Sequence, residues 1–461
     1  MNDANVQVLV IGAGVTGIGA AYHLQANGLA YRILEATGNV GGVWARHRWH
    51  GARCDSDFIK YSFSFKPHLS PQCLQRSDQI RRYLHEVATE FGILPRIRFR
   101  TRVEKAVFDE DRKEWIVQTS RGRFVAQFLV NGNGYWAEPH VPAFAQADRF
   151  RGEILHTADL DRGRTFPNRN VVLVGSGSTA ICCAPELARV SKSLVLLQRS
   201  PSYIYETTDR ADALTLGCQA LYRLGIRFPV KLLRYYLQCK DDAIFVGFRK
   251  FPRVARWIFR RHWLARVEPE TLLRHFTPRY DPWQERPSLS IGLGDALRSG
   301  RIAIRTGEIS RFTESSIVLA DGEEIPCNTC VLATGLRLDL LKFDLYIGTA
   351  KRSLAGLNFY KRIMLGGVPN YFHPFGTVHS AWTQSLEPAI RLAIRIMSYM
   401  KKNDLRAVAV ERKEVDFTPA IMPGYMKRHL QELPKPYGTF ELPAIDNLVS
   451  YRFDPRAYRF S

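Results

Sequence analysis

Residues 6–17 read Val-Gln-Val-Leu-Val-Ile-Gly-Ala-Gly-Val-Thr-Gly, an apolar run that passes directly into a turn with three glycines. The apolar run is typical of a buried parallel strand, and the pattern after the turn is helical through Gln25. A second apolar run at Tyr31–Leu34 predicts the next strand, which ends at Glu35. The stretch therefore predicts one βαβ unit, with a glycine turn between its first strand and its helix.

The glycine turn predicts a dinucleotide site. Gly12 allows the tight turn, Gly14 lets the backbone approach a pyrophosphate at the helix N-terminus, and Gly17 lets helix and strand pack closely. Glu35 follows Gly12 by 23 residues, which is where a carboxylate accepts hydrogen bonds from ribose hydroxyls. This loop suits the ADP half of FAD or NAD. A glycine turn without a ligand is the alternative, and the strand, helix and acid together make it the weaker one.

A second βαβ unit repeats this arrangement with one change. The unit has Gly175, Gly177 and Ala180 at the three loop positions, and its second strand ends at Arg199 instead of an acid. A carboxylate would repel the 2′-phosphate of NADPH, whereas a guanidinium can bind it in a fork geometry. The second loop is therefore assigned to NADPH, with a plain surface arginine as the alternative for Arg199. The strand, turn, helix and next strand are predicted at 171–174, 175–180, 181–190 and 194–197.

Length and pattern together predict the fold class. A chain of 461 residues with 46% apolar residues is globular and too long for one ordinary core. We predict an α/β protein with two Rossmann-like dinucleotide-binding domains, for FAD and NADPH, and an inserted helical segment. The predicted segments are an FAD-binding domain, first part, 1–142; an NADPH-binding domain, first part, 143–204; a helical insertion, 205–280; the second part of the NADPH-binding domain, 281–332; and the second part of the FAD-binding domain with a C-terminal tail, 333–461.

Part of the formal net charge of +21 lies in one segment. Residues 222–266 contain twelve Lys or Arg and two Asp, with aromatic residues interleaved. One interpretation is a surface that contacts anionic membrane lipid or an acidic partner. The commoner alternative is a solvated basic face over an aromatic core. No nucleic-acid-binding module is recognised, so nucleic acid is not an expected partner.

The cysteines and the N-terminal residues indicate the cellular compartment of the protein. The eight cysteines are scattered, unlike a secreted disulfide framework, which favours a reducing cytoplasm. Residues 4–31 lack Asp, Glu, Lys and Arg, but glycines interrupt them and no basic residue precedes them. A signal peptide or membrane anchor is therefore not expected. Peripheral contact with the inner face of a membrane stays open, and no metal site is predicted.

Two dinucleotide loops in one chain indicate that electrons pass from a nicotinamide to a flavin. Their destination is then a disulfide or dioxygen. Disulfide reductases need a cysteine pair beside the flavin, and residues 41–47 contain none. Cys327 and Cys330 lie at an apparent strand, and Cys182 and Cys183 lie in an apparent helix, so both pairs are interpreted as packing residues. Dioxygen is the better destination.

Several further motifs resemble one family. Residues 41–55, which include Gly42, Trp44 and Asp55, are similar to the flavin-proximal signature of class B flavoprotein monooxygenases, the Baeyer–Villiger and flavin-containing monooxygenase family. Residues 282–286 and 381–383 most resemble the branch that contains the ethionamide-activating monooxygenase. The other matching residues are Phe150, Gly152, His156 and Thr157, similar to the linker fingerprint of the family, together with Gln198, Ser200, Pro201, Ala333, Thr334 and Gly335.

The resemblance implies a reaction. NADPH would reduce FAD, and the flavin would carry dioxygen as a C4a-peroxide that inserts one oxygen atom into a ketone or aldehyde, giving an ester or lactone. Oxygenation of a sulfide, thioamide or amine is the alternative on the same scaffold, and a flavin-binding protein without turnover is a third. The cofactor contacts implied by the loops and motifs are Gly12, Gly14, Gly17, Glu35, Gly42, Trp44, Asp55, Gly175, Gly177, Ser178, Thr179, Arg199, Ser200, Thr334 and Gly335.

Catalytic residues are also implied by the resemblance. In such enzymes an arginine stabilises the anionic peroxide, and an aspartate positions that arginine. By their place in the matching motifs, these residues are Arg286 and Asp55 here. Arginine suits the task because it is a permanent cation that does not give up a proton. Asp55 could instead be a turn or helix-cap residue. Two departures leave the oxygenated atom open, because His50 stands where the family has proline and Leu160 where it has tryptophan.

Two further side chains each allow two interpretations, one functional and one structural. His156 could couple domain movement to catalysis or be a satisfied buried histidine. Trp382 could line the substrate pocket or belong to the core.

Overall fold

The computed structural model describes residues 5–266, 270–377, 380–415, 424–439 and 442–461. Residues 1–4, on which the prediction about the N-terminus partly depends, lie outside this range. The described chain is a mixed α/β fold built around two sheets, which confirms the predicted fold class.

The helices and strands of the described residues are numbered here in chain order. The α-helices are α1 (Val15–Ala26), α2 (Val43–Arg46), α3 (Phe58–Tyr61), α4 (Ser77–Glu90), α5 (Ser178–Leu187), α6 (Ala213–Arg223), α7 (Phe228–Lys250), α8 (Pro252–Leu264), α9 (Leu293–Arg298), α10 (Trp382–Lys402), α11 (Gly424–Lys427) and α12 (Pro443–Leu448). The strands are β1 (Asn5–Ile11), β2 (Tyr31–Leu34), β3 (Ile97–Arg98), β4 (Val103–Asp109), β5 (Glu114–Thr119), β6 (Gly122–Asn131), β7 (Trp136–Pro139), β8 (Glu153–His156), β9 (Phe166–Val174), β10 (Ser191–Gln198), β11 (Ile204–Glu206), β12 (Ser288–Ser290), β13 (Ile302–Thr306), β14 (Ile309–Phe312), β15 (Ser316–Leu319), β16 (Glu324–Pro326), β17 (Thr329–Leu332), β18 (Leu336–Leu338), β19 (Asp344–Ile347), β20 (Ala350–Arg352), β21 (Asn358–Tyr360), β22 (Met364–Leu365), β23 (Tyr371–Phe372), β24 (Val408–Ala409), β25 (Lys435–Tyr437) and β26 (Arg459–Phe460).

The first sheet carries the first glycine loop. Within the described residues it joins β1–β6, β19–β23 and β25, and the parallel run beside the loop has the order β3, β2, β1, β6, β23. Val8, Leu9 and Val10 of β1 are fully buried, as expected for a parallel strand that is covered on both faces. The largest apolar core contains side chains of α1, α4 and α10 together with this sheet.

The second sheet carries the second glycine loop. It is parallel throughout, in the order β13, β10, β9, β17, β8. The helix predicted at 181–190 is displaced by three residues at each end and spans Ser178–Leu187. It begins earlier because the loop residue Gly177 is itself the N-cap, and it ends earlier because β10 already begins at Ser191.

The two sheets are joined by a two-stranded connection, β7 with β18. These strands pair antiparallel, with Leu336 opposite Pro139, and the His140 N–H donates to the Gly335 carbonyl at 2.9 Å. The chain leaves the first sheet after β6 and re-enters it at β19, so both crossings run through this pair. We propose that the domains follow the five predicted segments, since the last strand of the second sheet, β17, ends at Leu332.

The helical insertion consists of α6, α7, α8 and a 3-10 helix at Glu270–Phe276. Trp263 anchors α8, because its Nε1–H donates to the Ile204 carbonyl at 2.8 Å and its ring stacks on Phe276. The inner side of α7 contacts α10, since the Gln384 side chain donates to the Arg234 carbonyl at 3.2 Å. Among the described residues, no helix combines the length and the apolar character that a bilayer crossing requires.

Candidate active site

One large cavity connects the two glycine loops. Its volume is about 1930 Å³, and it runs from Glu35 past Gly14 to Asp55 and Arg286 and on to Arg199. FAD and NADPH would each need such a binding groove, and their reactive rings must meet. A single continuous cavity satisfies that requirement.

The first loop leaves no room for side chains where its backbone turns. Gly12 has φ +92°, and a β-carbon there would lie 2.8 Å from the Gly132 carbonyl oxygen. A β-carbon on Gly17 would lie 1.8 Å from the Gly12 carbonyl oxygen. Helix α1 starts after Gly14 with no side chain capping its N–H groups, so these donors are available to a pyrophosphate. The loop therefore fits the group predicted for it.

Glu35 is buried at the end of β2 and points back at the loop. Its Oε2 accepts from the Ala13 N–H at 2.8 Å, and its Oε1 accepts from the Thr37 N–H at 2.7 Å. These two hydrogen bonds fix the carboxylate at the edge of the cavity. Oε1 also accepts from the Thr37 hydroxyl at 2.8 Å, so Oε2 is the oxygen that retains a lone pair for a ribose hydroxyl.

The next wall of the cavity is built from Gly42 and Trp44. Gly42 has φ +54°, and a β-carbon there would lie 3.0 Å from the Gly14 α-carbon, so the segment lies directly on the first loop. The Trp44 Nε1–H donates to the Tyr61 hydroxyl at 2.7 Å. Tyr61 lines the same cavity, and burial raises the pKa of its phenol, which keeps it neutral. Sequence reasoning missed Tyr61.

The second loop resembles the first in its geometry. A β-carbon on Gly175 would lie 2.5 Å from the Ala333 carbonyl oxygen, whereas one on Gly177 meets no atom within 4 Å. Helix α5 begins with Ser178 and Thr179, which line the cavity, and no side chain caps it. The open space beside Gly177 is where a pyrophosphate would approach the helix N-terminus.

Arg199 lies exposed at the end of β10 and lines the cavity together with Ser200. A second cation, Arg428, reaches the same region from the segment after α11, and its Nη2 lies 3.8 Å from the β-carbon position of Gly335. Burial and the positive charge of Arg199 together lower the pKa of the Arg428 guanidinium. Two like charges held this close favour an anion between them. Sequence reasoning missed Arg428, because it lies 229 residues away with no motif around it.

Asp55 and Arg286 form an ion pair in the wall of the cavity. The Arg286 Nη2 lies 2.8 Å from the Asp55 Oδ1, and the side chains are 31% and 21% exposed. Asp55 is not the helix cap that the sequence left open as an alternative. Asp57 caps α3 instead, since its side chain accepts from the Ile59 N–H at 2.9 Å. Asp55 is therefore directed at the arginine, as the resemblance implied.

Aromatic rings share the cavity with this ion pair. Trp44, Tyr61, Tyr135 and Trp382 all line the cavity. The Tyr135 and Trp382 ring centroids lie 5.2 Å apart. Trp382 begins α10 and is half-buried, so it both packs and faces the cavity. An apolar wall of this kind lowers the local dielectric around the charge pair.

The linker residues lie beside the connection between the sheets. The His156 Nε2–H donates to the Gly335 carbonyl at 3.1 Å, while its Nδ1 accepts from the Ala158 N–H at 3.0 Å. One neutral tautomer satisfies both bonds, and burial lowers the pKa of this imidazole. The Thr334 hydroxyl donates to the His140 carbonyl at 2.5 Å.

The rest of the linker fingerprint packs instead of facing the cavity. Phe150 is buried against Phe312, and a β-carbon on Gly152 would collide with the Phe150 ring. Thr157 is also buried, and none of these three is among the residues that line the cavity in the described chain. Their contribution is to the second domain itself.

Comparison with known proteins assigns the family. The chain is 33% identical to the FAD-containing monooxygenase EthA of Mycobacterium tuberculosis, over 94% of this chain and 91% of EthA. The chain belongs to the FAD-containing monooxygenases. A second relative of this FAD-containing monooxygenase is the probable FAD-binding monooxygenase AlmA of Acinetobacter baylyi, 28% identical over 94% of this chain and 90% of AlmA.

Solved structures share the fold of this FAD-containing monooxygenase. An oxidised steroid monooxygenase bound to NADP superimposes with a TM-score of 0.80 at 24% identity, covering 99% of each chain. An open cyclohexanone monooxygenase gives 0.76 at 20% identity, again over 99% of each chain. Residues 9–215 also match the family described as pyridine nucleotide-disulphide oxidoreductase, which spans both glycine loops.

The two cysteine pairs of this FAD-containing monooxygenase lie in surroundings that do not suit a redox role. Cys182 and Cys183 lie in α5, and Cys327 and Cys330 lie at β17, and all four thiols are buried. Burial raises the pKa of Cys182 and of Cys327 to about 12. A redox-active thiol needs a lowered pKa, so these side chains pack the second domain.

The two departures from the family pattern also pack. The His50 Nε2–H donates to the Arg164 carbonyl at 2.8 Å, and the ring is 4% exposed. Leu160 is 2% exposed and lies in the second domain core with Trp49 and Phe166. Neither side chain is among those that line the cavity in the described chain.

Proposed function

We propose that this monooxygenase uses NADPH, FAD and dioxygen to insert one oxygen atom into a ketone or aldehyde, giving an ester or lactone. The observation that carries the proposal is the Asp55–Arg286 ion pair, held in the one cavity that both glycine loops share. When bound, FAD supplies the acceptor for the hydride of NADPH and the activation of dioxygen. The polypeptide supplies binding, charge and exclusion of water.

Arg286 provides a positive charge that is permanent at every physiological pH. It can stabilise developing negative charge on oxygen without neutralising it by proton transfer. Asp55 accepts a hydrogen bond from the guanidinium and restricts its orientation. Trp44, Tyr61 and Trp382 line the same cavity, and their apolar surface would strengthen the electrostatic effect of Arg286.

The cofactor assignments follow the two loops. Gly12, Gly14 and Gly17 would hold the FAD pyrophosphate at the start of α1, and Glu35 its ribose. Gly177, Ser178 and Thr179 would hold the NADPH pyrophosphate, and Arg199, Ser200 and Arg428 its 2′-phosphate. Gly42, Trp44, Thr334 and Gly335 complete the contacts between the two sites. We propose the reducing cytoplasm as the compartment, in keeping with eight unpaired cysteines.

The Arg199→Ala variant tests the assignment of the second loop. It should raise the KM for NADPH roughly 10- to 100-fold, because a charged hydrogen bond to phosphate contributes about 1.5–3 kcal/mol. The KM for NADH should hardly change. Arg169→Ala is the control. It removes an exposed cation near the start of β9, at the edge of the sheet away from Arg199, and should change the KM of neither nucleotide. Equal increases for both nucleotides with Arg199→Ala would contradict the 2′-phosphate assignment.

Oxygenation of sulfur or nitrogen is the alternative reaction on this scaffold. The sequence left this alternative open because His50 and Leu160 depart from the family pattern. Both are buried away from the cavity lining, so they do not favour the alternative over oxygenation of a carbonyl. The choice depends on the substrate.

Product identification decides between the two reactions. The purified holoenzyme is incubated with NADPH and ¹⁸O₂ and offered a panel of ketones, aldehydes, sulfides, thioamides and amines. We expect esters or lactones that carry one ¹⁸O atom, measured by mass spectrometry. Labelled sulfoxides or N-oxides without any ester would replace the proposed reaction by the alternative. Oxidation of NADPH without any labelled product would contradict both.

A further inference from the structure

The helical insertion exposes most of the large apolar side chains found on the surface of the described chain. Twenty-one such side chains are exposed in the described residues, and fifteen of them lie between Leu214 and Leu264. Leu224 is 78% exposed, Phe228 70% and Trp257 60%. Scattered apolar residues on a surface need no explanation, but a concentration of this kind marks an interaction surface.

The apolar side chains cluster first at the turn between α6 and α7. Leu221, Leu224, Ile226 and Phe228 are all exposed there, around a tight turn in which Gly225 has φ +88°. We call residues 221–228 the hairpin tip. The basic residues of the tip and its flank, Arg223, Arg227 and Lys231, are exposed as well.

The helices of the insertion are apolar on two opposite sides. On α8, Ala255, Phe259 and Trp263 are buried, while Val254 and Trp257 face outwards. On α7, the buried side chains include Val230, Leu233 and Phe245, and the outward ones include Leu232, Tyr235 and Tyr236. A helix that only covers a soluble core has one apolar side. The second apolar side therefore faces something other than water.

Charge identifies the kind of surface that this face contacts. The two acidic residues of the basic segment 222–266 point into the protein. Asp241 pairs with Lys60 at 2.6 Å, and Asp242 is buried and accepts from the Ala444 N–H at 2.8 Å. The outer face consequently carries positive charge without compensating carboxylates from its own segment. It would be repelled by a second copy of itself and attracted by an anionic surface.

We propose that the helical insertion seats this protein on an anionic lipid bilayer, with the hairpin tip and Trp257 inserted among the headgroups. Helices that lie in a membrane interface combine apolar side chains with a border of Lys and Arg, and both are present here. A nucleic acid would match the charge but would leave the exposed Leu, Ile and Phe side chains unused. The positive charge would bring the protein to the surface, and the tip would retain it there.

Vesicle flotation tests this proposal with the full-length holoenzyme. We expect binding to vesicles of phosphatidylcholine and phosphatidylglycerol at low salt. Binding to phosphatidylcholine alone should be at least about tenfold weaker, and salt near 1 M should reduce binding to the anionic vesicles, because it screens charges beyond a few ångströms. The triple variant Leu224→Ser, Ile226→Ser and Phe228→Ser should lose at least about tenfold in binding, without loss of flavin or thermal stability, since these side chains are exposed.

Matched variants separate the hairpin tip from general effects. Val141→Ser with Leu430→Ser removes exposed apolar side chains outside the insertion and should bind like the wild type. Arg223→Gln, Arg227→Gln and Lys231→Gln should weaken binding, whereas the exposed triple Arg112→Gln, Arg121→Gln and Arg123→Gln should not. Equal effects of the two charge variants would overturn the proposal, and so would a dimer that buries the tip or binding to DNA in place of vesicles.

Discussion

The Arg286→Ala variant should lose ester formation by about 10²–10³-fold in kcat, the range seen when one donor that stabilises an oxyanion is removed. FAD content and the bleaching of the flavin by NADPH should persist, because Arg286 is not one of the residues assigned to hold either cofactor. Oxygen taken up by the variant should leave as hydrogen peroxide. Anaerobic stopped-flow absorbance measures the reduction, and gas chromatography measures the ester.

Two further variants make this result specific. Arg279→Ala removes an exposed arginine seven residues earlier and should keep wild-type activity. Asp55→Asn keeps a hydrogen-bond acceptor for the guanidinium but removes the charge, so its loss should be smaller than that of Arg286→Ala. Ester formation by Arg286→Ala at the wild-type rate would remove the arginine from the mechanism. Loss of esters with retained sulfoxidation would show that the arginine serves only the attack on a carbonyl.

The Gly17→Ala variant should fail to retain FAD. A β-carbon at this position would lie 1.8 Å from the Gly12 carbonyl oxygen and 3.0 Å from its carbonyl carbon, so the glycine turn must move. A moved turn no longer presents its N–H groups to the pyrophosphate, and we expect FAD affinity to fall by at least about tenfold. The ratio of absorbance at flavin and protein wavelengths measures the occupancy.

A control for Gly17→Ala is available in the helical insertion. Gly217 lies in α6 with nothing within 4 Å of its β-carbon position, so Gly217→Ala should keep full FAD content and be neutral or slightly stabilising. Far-ultraviolet circular dichroism of Gly17→Ala separates loss of the cofactor from loss of the fold. Full FAD occupancy in a folded Gly17→Ala protein would contradict the steric argument.

The fold was predictable from the sequence where local patterns encode it. Each βαβ unit is continuous in the chain, so the apolar runs, Gly12 and Gly175 sufficed to predict the parallel strands next to each glycine loop. Helix α5 starts earlier than the sequence pattern predicts, because its first turn, Ser178–Thr179, is polar and resembles a continuation of the loop. The pairing of β7 with β18 joins residues about 200 positions apart, and no short-range pattern encodes it.

The candidate site was only partly predictable for the same reason. Glu35 and Arg199 stand at a fixed distance from their own glycine loops, so spacing identified them. Arg286 and Asp55 lie 231 residues apart and were found only through the resemblance to a family. Arg428 and Tyr135 come from segments without motifs, and only the folded chain brings them to the cavity.

The inward direction of Asp241 and Asp242 was equally invisible in the sequence. A count of charges in the basic segment sets these two carboxylates against its twelve cations. In the folded protein Asp241 pairs with Lys60, and Asp242 accepts a hydrogen bond from the Ala444 N–H. The surface is therefore more basic than the count implies, which is what the proposed contact with anionic lipid requires.

The pairing of β7 with β18 has a consequence for engineering. Because the chain enters and leaves the second domain through neighbouring strands, everything between Pro139 and Leu336 is a cassette with adjacent ends. Two cuts at this place would release the second sheet together with the helical insertion, and a grafted segment must restore contacts of the insertion with the first half, such as Asp241 with Lys60 and Asp242 with Ala444. Nucleotide preference could then be exchanged between relatives by grafting the cassette, while the sheet that carries Glu35 keeps its own sequence.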